Sequence, residues 1–371
     1  MAKLAGTIFK AINIFVVLLY LSACLIPILP AGEFWIIAVL GLIFPFVFLI
    51  VGVFLIGWLI ARSKWFILSL AAIIISWQQV SVIPGLSPKK KFILSKPNNT
   101  LRVLSWNLSS WGETNKSNKM IANYWPLTTS LILNQQADVL CFQEFWDKHD
   151  PYSKISNIRA FKALGYPYSY FVNSTLDNHD VKIGVIIMSK YPITNAAKFS
   201  YGKEDYAEHL IYVDIEFNQQ KVRIFTTHLQ SVRFDNEEYS TLRKIEQTDR
   251  SGFKNSKTIG RKLRNAYQYR GSEADFVNQK IKESPFPVII TGDFNDVPNS
   301  YTYFKIKGDL QDAFLKKGTG LGRTYQYLSP TLRIDFILAS KKFRIEQFNR
   351  IIAPYSDHYP IVTDLSLRNS N

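Results

Sequence analysis

Two short motifs near the C-terminus combine residue types that bind metal ions and phosphate groups. GDFN at 292–295 places an aspartate and an asparagine two residues apart, and SDHYP at 356–360 places an aspartate beside a histidine. A packed core does not need such side chains, because burying an unpaired polar group costs free energy. A hydrolytic site does need them, since carboxylates hold a hard divalent cation and amide and imidazole groups hydrogen-bond a phosphate. The two motifs therefore indicate a hydrolytic site.

The elements that position these residues are short apolar runs that end in polar side chains. LRVLSWN, ADVLCFQE and KVRIFTTHL place Asn107, Glu144 and His228 at or beside their ends, and PVIITGDFN ends in the first motif. Strand ends that converge on one rim of a sheet would bring these residues together. Strands are also expected at KIGVIIMS, HLIYVDIEF, RIDFILAS and the stretch after SDHYP, with helices over 126–136 and 256–283. This order predicts an α/β sandwich of packed sheets with flanking helices.

The N-terminal part is almost wholly apolar, which predicts membrane-spanning helices. Candidate spans lie at about 12–29, 34–61 and 65–84, and the second contains no charged residue. The third is the weakest, because Gln78, Gln79 and Ser81 dilute its second half. A signal peptide is the alternative for the first span, and a buried hairpin of a soluble domain is the alternative for all of them. We therefore expect two or three transmembrane helices.

These features divide the chain into three expected regions. They are a transmembrane segment over 1–84, a juxtamembrane linker over 85–99 with a lysine triplet, and a catalytic domain over 100–369. Basic residues precede the first span and also lie in the loop between the second and third spans. The positive-inside rule therefore places the N-terminus and this loop in the cytoplasm. Three spans then put the catalytic domain on the outer, non-cytoplasmic face of the membrane. Two spans put it in the cytoplasm, and the lysine triplet opposes the outward orientation.

Charge and cysteine content restrict the possible partners. The formal net charge is +15, and the first 84 residues hold four basic and one acidic residue, so +12 remains for the rest. Such a surface favours nucleic acid or anionic lipid headgroups, although charge spread over all faces would serve solubility alone. Cys24 and Cys141 both lie in apolar runs, which argues against a disulfide framework and against a cysteine-based metal site.

In order, the motifs resemble those of the endonuclease/exonuclease/phosphatase superfamily, which includes DNase I-like nucleases and neutral sphingomyelinases. The resemblance covers roughly residues 99–369 and rests on LSWN, FQE, TTHL, GDFN and SDHYP, with RIDFIL between the last two. It implies a DNase I-like two-sheet α/β sandwich and a metal-dependent phosphoric ester hydrolase. The implied cofactor is Mg²⁺, with Mn²⁺ as an alternative, and no organic cofactor is expected.

The resemblance also implies metal-binding and water-activating residues. Glu144 is expected to bind the metal, and Asn107 and Asp357 are expected to lie beside it. Asp293 is expected to align or deprotonate the attacking water. Asn295 is expected to hold that water and a phosphate oxygen in place.

Two histidines complete the implied site. His228 is expected to contact the phosphate or the leaving oxygen, and His358 is expected to stabilise the transition state. Asp335 is expected to fix the tautomer and orientation of His358. The implied reaction is hydrolysis of a phosphodiester by an activated water.

The substrate stays open at this stage, because a fold does not determine it. A membrane anchor and a basic linker favour a lipid phosphodiesterase held at the bilayer, whereas a charge of +12 favours a nuclease acting on DNA or RNA. A phosphomonoesterase is a third hypothesis, and a catalytically silent binding domain is a fourth. The expected partners are the phosphate ester and, through the N-terminal helices, the lipid bilayer. No obligate protein partner is inferred.

Overall fold

The computed structural model describes residues 2–88, 90–112, 124–148, 156–174, 181–201, 208–232 and 256–368. The chain divides into two compact units. The first unit contains residues 1–84, 232–274 and 296–305, and the second contains 85–231, 275–295 and 306–371. All residues predicted for the hydrolytic site belong to the second unit.

Apolar helices form the N-terminal part of the first unit. They are α1 (Ala2–Ala23), α2 (Trp35–Ile60), α3 (Phe66–Ile75) and α4 (Trp77–Ser81). Two segments, Gly6–Ala23 and Trp35–Ile60, are long and apolar enough to cross a membrane. Only 22% of the first and 28% of the most apolar window of the second is buried, so most of their apolar side chains face outward.

The first and third predicted spans differ from the helices that form. Helix α1 ends at Ala23 and is followed by turns over 24–28. The third stretch is divided into α3 and α4 at Ser76, whose Oγ donates to the carbonyl of Ile73 at 2.9 Å. Such side-chain bonds compete with helical backbone pairing. The hydroxyl of Tyr20 also contacts Ser76, which joins α1 to this break.

The second unit is built from β-strands and helices. In chain order its strands are β1 (Gly85–Leu86), β2 (Leu101–Asn107), β3 (Val139–Lys148), β4 (Tyr168–Asn173), β5 (Val181–Ser189), β6 (Ile193–Ser200), β7 (His209–Phe217), β8 (Gln220–His228), β9 (Val288–Asp293), β10 (Gln311–Asp312), β11 (Thr319–Gly320), β12 (Asp335–Ala339), β13 (Phe343–Arg350) and β14 (Ile361–Leu367). A short turn with positive φ at Ser109, Ser110 and Trp111 follows β2. The other helices within the described residues are α5 (Tyr124–Asn134), α6 (Asn157–Ala163), α7 (Ser256–Lys282), α8 (Tyr301–Lys307) and α9 (Ala313–Lys317).

Two six-stranded sheets have the same pattern of strand directions. Their orders are β10-β12-β9-β8-β7-β6 and β13-β14-β2-β3-β5-β4. The central pair of each sheet, β9 with β8 and β2 with β3, is parallel, and the flanking pairs are antiparallel. Parallel neighbours end at the same edge, and the antiparallel neighbour β12 begins there. This arrangement explains why polar residues at several strand ends meet.

The two sheets pack face to face around an apolar core. Alternate residues of β2 point to opposite faces of the second sheet. Leu101 and Val103 pack in the core between the sheets, whereas Leu104 and Trp106 pack with α5 and α6 on the outer face. This alternation is the period of two expected for a strand that is buried on both faces. The predicted two-sheet α/β sandwich is therefore confirmed.

A buried ion pair stabilises the second sheet. Arg102 and Asp364, on the neighbouring strands β2 and β14, have fully buried side chains joined by two hydrogen bonds of 2.6 and 2.9 Å. The guanidinium also donates to the carbonyl oxygens of Ile93, Leu94 and Gln135. All the charge on Arg102 is thus matched by acceptors in a dry environment.

We expect Asp364→Ala to lower the melting temperature by roughly 10 °C. Removing one partner leaves a buried charge uncompensated, which costs about 3–5 kcal/mol. Thermal unfolding of the full chain in detergent, followed by near-UV circular dichroism, measures the change. The matched control is Asp309→Ala, because that carboxylate is fully exposed and 3.8 Å from Lys341. Equal melting temperatures for the two variants would contradict the role of the pair.

Candidate active site

Three residues form a row across neighbouring strands of the first sheet. Asp293 at the end of β9 is directly opposite His228 on β8 and Asp335 on β12. Directly paired residues project their side chains to the same face of a sheet, so the three side chains lie side by side. The Oδ2 atom of Asp293 is 3.6 Å from Nε2 of His228. Asp293 is the centre of this row and is almost completely buried.

Gly292 allows Asp293 to take this position. Its φ is +141°, and a Cβ atom built there would lie 2.0 Å from the carbonyl oxygen of Thr227 on the adjacent strand. Any other residue would force β8 and β9 apart, because that contact is with backbone. The glycine of the GDFN motif is therefore required by the close approach of the two strands.

The second sheet contributes Asn107 and Glu144 to the same site. Nδ2 of Asn107 donates to Oε1 of Glu144 at 3.2 Å and to Oδ2 of Asp293 at 3.1 Å, which links the two sheets. Glu144 lies at a β-bulge in β3 with φ +47°, and its side chain is 37% exposed. A bulge re-aims a side chain, and here the carboxylate reaches both the site and the solvent.

The loop before β14 places His358 against the row. Nε2 of His358 is 3.6 Å from Oδ2 of Asp293, and Nδ1 is 2.9 Å from Oδ2 of Asp335. The loop is held by Ser356, whose Oγ is 2.7 Å from the carbonyl oxygen of Asn107, and by Trp106, which donates to the carbonyl of His358 at 2.8 Å. Both contacts fix the imidazole relative to β2.

Asp357 and Asn295 lie at the border of the site. The carboxylate of Asp357 is half-buried, is 3.3 Å from Oγ of Ser356 and interacts electrostatically with His358. The backbone N–H of Asn295 donates to Oδ1 of Asp293 at 2.8 Å, and its Nδ2 donates to the carbonyl of Leu229 at 2.8 Å. The structure thus brings seven of the eight predicted residues into one bonded or charge-paired cluster around Asp293, and Asp357 borders it.

The charges in this cluster determine the protonation of the two histidines. Burial opposes protonation of His228, but the carboxylates of Glu208, Asp293 and Glu144 outweigh it and raise the pKa of His228 to about 10. Burial likewise disfavours the charged form of His358, but Asp335 and Asp293 outweigh it and raise its pKa well above the ordinary value. Both imidazoles are therefore cationic at neutral pH and can donate hydrogen bonds to an anionic substrate.

The surroundings of Asp293 raise the pKa of its carboxyl group. Burial is the main cause that raises its pKa to about 6, and the positive charges of His358 and His228 oppose that effect. A carboxylate with a pKa near the working pH is mostly deprotonated at neutral pH, yet it is more basic than an exposed aspartate. Its position at the centre of the row makes it the best proton acceptor of the cluster.

Two sets of residues could hold a metal ion. Asp293, Asp335 and His358 offer ligand atoms that lie within 4.8 Å of one another. In this set, however, Nδ1 of His358 and Oδ2 of Asp335 are already paired with each other at 2.9 Å. Glu144 is accessible and offers hard carboxylate oxygens, which fit Mg²⁺. We therefore favour Glu144 as the principal ligand.

Asn107 has a different orientation from that of a direct ligand. Its amide nitrogen faces the carboxylates of Glu144 and Asp293, and its Oδ1 accepts the N–H of Ser109 at 2.9 Å. This network assigns the amide orientation, since oxygen and nitrogen are told apart by their partners. In this arrangement Asn107 acts as a hydrogen-bond donor that aligns both carboxylates.

The sequence analysis missed two residues that support the site. Oε2 of Glu208 is 3.0 Å from Nδ1 of His228, and Oγ1 of Thr324 accepts the N–H of Asp335 at 3.1 Å. The position of Glu208 could have been predicted from the sequence, because it directly precedes a predicted strand. The predicted hairpin of β7 and β8 pairs Leu210 with Thr227, so the residue just before β7 lies at the edge where β8 ends.

We expect Glu208→Gln to move the alkaline limb of the pH–activity profile to lower pH by one unit or more. His228 stays protonated until the pH rises through its raised pKa of about 10. Without the charge of Glu208, burial dominates, the pKa falls and the proton is lost earlier. The pH dependence of kcat/KM measures this shift. Glu216→Gln, an exposed position on the same strand β7, is the control, and an unmoved alkaline limb in the Glu208 variant would contradict the pairing.

Comparison with known proteins agrees with this geometry. Residues 105–358 match the model of the Endonuclease/Exonuclease/phosphatase family, and residues 6–83 match a domain of unknown function, DUF8431. No curated protein matches the chain.

Solved structures share the fold at low sequence identity. An endonuclease/exonuclease/phosphatase from Beutenbergia cavernae DSM 12333 is 17% identical with a TM-score of 0.52, and the match covers 73% of this chain and 72% of that one. The human Nocturnin catalytic domain with bound sulfate is 18% identical with a TM-score of 0.52, covering 73% and 94%. A family protein from Leptotrichia buccalis C-1013-b is 14% identical with a TM-score of 0.51, covering 72% and 100%. These similarities support the fold alone.

Proposed function

Because the chain belongs to the endonuclease/exonuclease/phosphatase family and is a hydrolase of that family, we propose that it is a membrane-anchored, divalent-metal-dependent phosphodiesterase. The observation that carries the proposal is the set of groups around one oxygen. Oδ2 of Asp293 lies 3.1 Å from Nδ2 of Asn107 and 3.6 Å from Nε2 of both His228 and His358. A base between two cationic donors fits the hydrolysis of an anionic ester by an activated water.

Each protein group has a defined task in the proposed reaction. Asp293 accepts the proton of the attacking water through a carboxylate oxygen, and Asn295 fixes Asp293 through its backbone N–H. His228 and His358 donate hydrogen bonds to the phosphate oxygens as negative charge develops on them. The bond from phosphorus to the leaving oxygen then breaks, and that oxygen takes a proton from the His228 imidazolium or from solvent. Asp335 accepts a hydrogen bond from Nδ1 of His358, which keeps Nε2 of that histidine directed at the site.

Mg²⁺ is the proposed cofactor, and Mn²⁺ is the alternative. Glu144 would hold the ion, Asn107 would align Glu144, and Asp357 would lie beside them. When bound, the ion would act as a Lewis acid on a phosphate oxygen and would favour the deprotonated water.

A lipid headgroup is the proposed substrate. The outward-facing apolar surfaces of α1 and α2 support a bilayer as their environment, which would hold the site near phospholipids. Nucleic acid is the second candidate, favoured by the charge of +12 outside the first 84 residues. A phosphomonoester or a silent binding role has less support, because the cluster holds both a base and two cationic donors.

The full chain in detergent micelles tests the reaction. We expect hydrolysis of bis-p-nitrophenyl phosphate that requires Mg²⁺ or Mn²⁺, stops with a chelator and returns when the metal is restored. Activity that persists in chelator would overturn the mechanism. Parallel assays on sphingomyelin or phospholipid vesicles and on plasmid DNA separate the lipid hypothesis from the nuclease hypothesis.

We also propose that the catalytic domain lies on the outer face of the membrane. The positive-inside rule places Lys10, Arg62 and Lys64 in the cytoplasm. The outer location then requires that the third predicted span, at about 65–84, crosses the bilayer. An alkaline phosphatase reporter fused after Lys91 is expected to be active, and a silent reporter would place the domain in the cytoplasm.

A further inference from the structure

The juxtamembrane linker is attached to the second unit at two points. Near its start, β1 pairs with β11, and the Oγ of Ser87 donates to the carbonyl of Lys316 at 2.7 Å. Farther along, Ile93 exchanges two hydrogen bonds with the side chain of Gln347 on β13, at 3.0 and 2.9 Å. The linker is therefore part of the folded surface at both points.

A cavity of about 230 Å³ lies between these two attachments. Residues of the linker form one wall, and the end of α9 and part of β13 form the other. Four of its lining side chains are lysines: Lys90 and Lys91 from the linker and Lys316 and Lys317 from α9. Lys89 lies outside the described residues.

Basic side chains outnumber acidic ones in the lining of the cavity. Among the described residues, none of the four ammonium groups forms an ion pair or a hydrogen bond. The one carboxylate in the lining, Glu346, is engaged by Nε of Arg344 at 2.6 Å and by the hydroxyl of Ser366, and it interacts electrostatically with Lys317. It can balance only one of the four lysine charges. The cavity thus presents an excess of positive charge to whatever enters it.

We propose that this cavity binds the phosphate-bearing headgroup of an anionic phospholipid. Its volume is below the roughly 300–1,000 Å³ of sites for drug-sized ligands, which suits a headgroup rather than a larger molecule. Exposed apolar side chains flank it, with Leu86 81% exposed and Ile93 57% exposed. Basic groups beside exposed apolar ones are typical of surfaces that rest on a bilayer.

This proposal rests on the proposed membrane anchor, but it concerns a site separate from the hydrolytic cluster. None of the cavity residues belongs to the row of Asp293 or to its partners. The headgroup would hold the linker and α9 against the membrane surface.

Lysine labelling in nanodiscs tests the site on the full chain. The chain is inserted into discs of phosphatidylcholine, with or without phosphatidylglycerol, and an amine-reactive reagent is followed by peptide mass spectrometry. We expect labelling of Lys90, Lys91, Lys316 and Lys317 to slow about fivefold or more when phosphatidylglycerol is present. Lys341, which is 74% exposed and does not line the cavity, is expected to label at the same rate in both discs.

Variants and a soluble anion define the outcomes. In the double variant Lys316→Gln and Lys317→Gln, protection of Lys90 and Lys91 is expected to disappear, whereas Lys341→Gln with Lys342→Gln should retain it. Equal labelling of the four lysines in both kinds of disc overturns the proposal. The proposal is also overturned if inorganic phosphate, added to phosphatidylcholine discs, protects these lysines as well as phosphatidylglycerol does, because that result would identify a site for free phosphate. Co-elution with the disc reports the anchor independently, so failure of the anchor and failure of the site are distinguishable.

Discussion

Replacing Asp293 with asparagine is expected to lower kcat about 1,000-fold or more, with a much smaller change in KM. The substitution keeps the size of the side chain and removes its ability to accept a proton. Loss of a positioned general base costs about 10²–10⁴-fold, and the two cationic histidines around this position would lose their common counter-charge. Steady-state hydrolysis of bis-p-nitrophenyl phosphate measures the loss.

The pH profile separates loss of the base from a structural defect. Because the base must be deprotonated, wild-type activity is expected to rise with pH through an apparent pKa near 6, the value to which burial raises Asp293. The residual activity of the variant should lack this acidic limb. Asp309→Asn, the same change at a fully exposed position, is the control. Near-normal kcat in the Asp293 variant would exclude it as the base.

Replacing Glu144 with glutamine is expected to lower activity about 100-fold or more at millimolar Mg²⁺. The change removes the negative charge that would hold the cation, and metal catalysis contributes several kcal/mol of transition-state stabilisation. The Mg²⁺ concentration for half-maximal activity should rise by at least about tenfold. Thermal stabilisation by Mg²⁺, which reports binding without turnover, should weaken in parallel.

Glu216→Gln is the matched control for the Glu144 variant, because it removes the same charge from an exposed position in a strand. It is expected to leave both the Mg²⁺ dependence of activity and the thermal shift unchanged. If Glu144→Gln also left them unchanged, the buried set of Asp293, Asp335 and His358 would become the better metal site.

The strands that carry the site could be predicted because they are central and buried. Strands β2, β3, β8 and β9 form the parallel centres of the two sheets, and their apolar runs are bounded by polar ends. The long helix α7 was predictable for a similar reason. Its periodic stripe, with Ile259, Ala266 and Val277, is buried.

The strands that sequence reasoning missed share a different position. They are β4, β6, β10 and β13, each at the edge of its six-stranded sheet, together with β1 and β11, which form a separate two-stranded sheet. Edge strands have one unpaired side and mix exposed with buried residues, so their apolar pattern is weak. Their pairing is determined by the neighbouring strand more than by their own sequence.

Side-chain partners inside the site were harder to predict than its members. Residue types identified Asn107 and His228, but only the folded geometry shows that the nitrogen of Asn107 faces two carboxylates. The pairing of Glu208 with His228 likewise depends on the register of the β7–β8 hairpin. Such register is a long-range property, set by the whole sheet.

The row of His228, Asp293 and Asp335 has a consequence for regulation. These residues are cross-strand partners within the hydrogen-bonded ladder of three adjacent strands. Separating any one of them from the others requires the strands to part, and core strands open only at a free energy close to that of global unfolding. The catalytic geometry therefore persists for as long as the domain is folded. An effector of this enzyme would therefore act more readily on access of the substrate to the row than on the row itself.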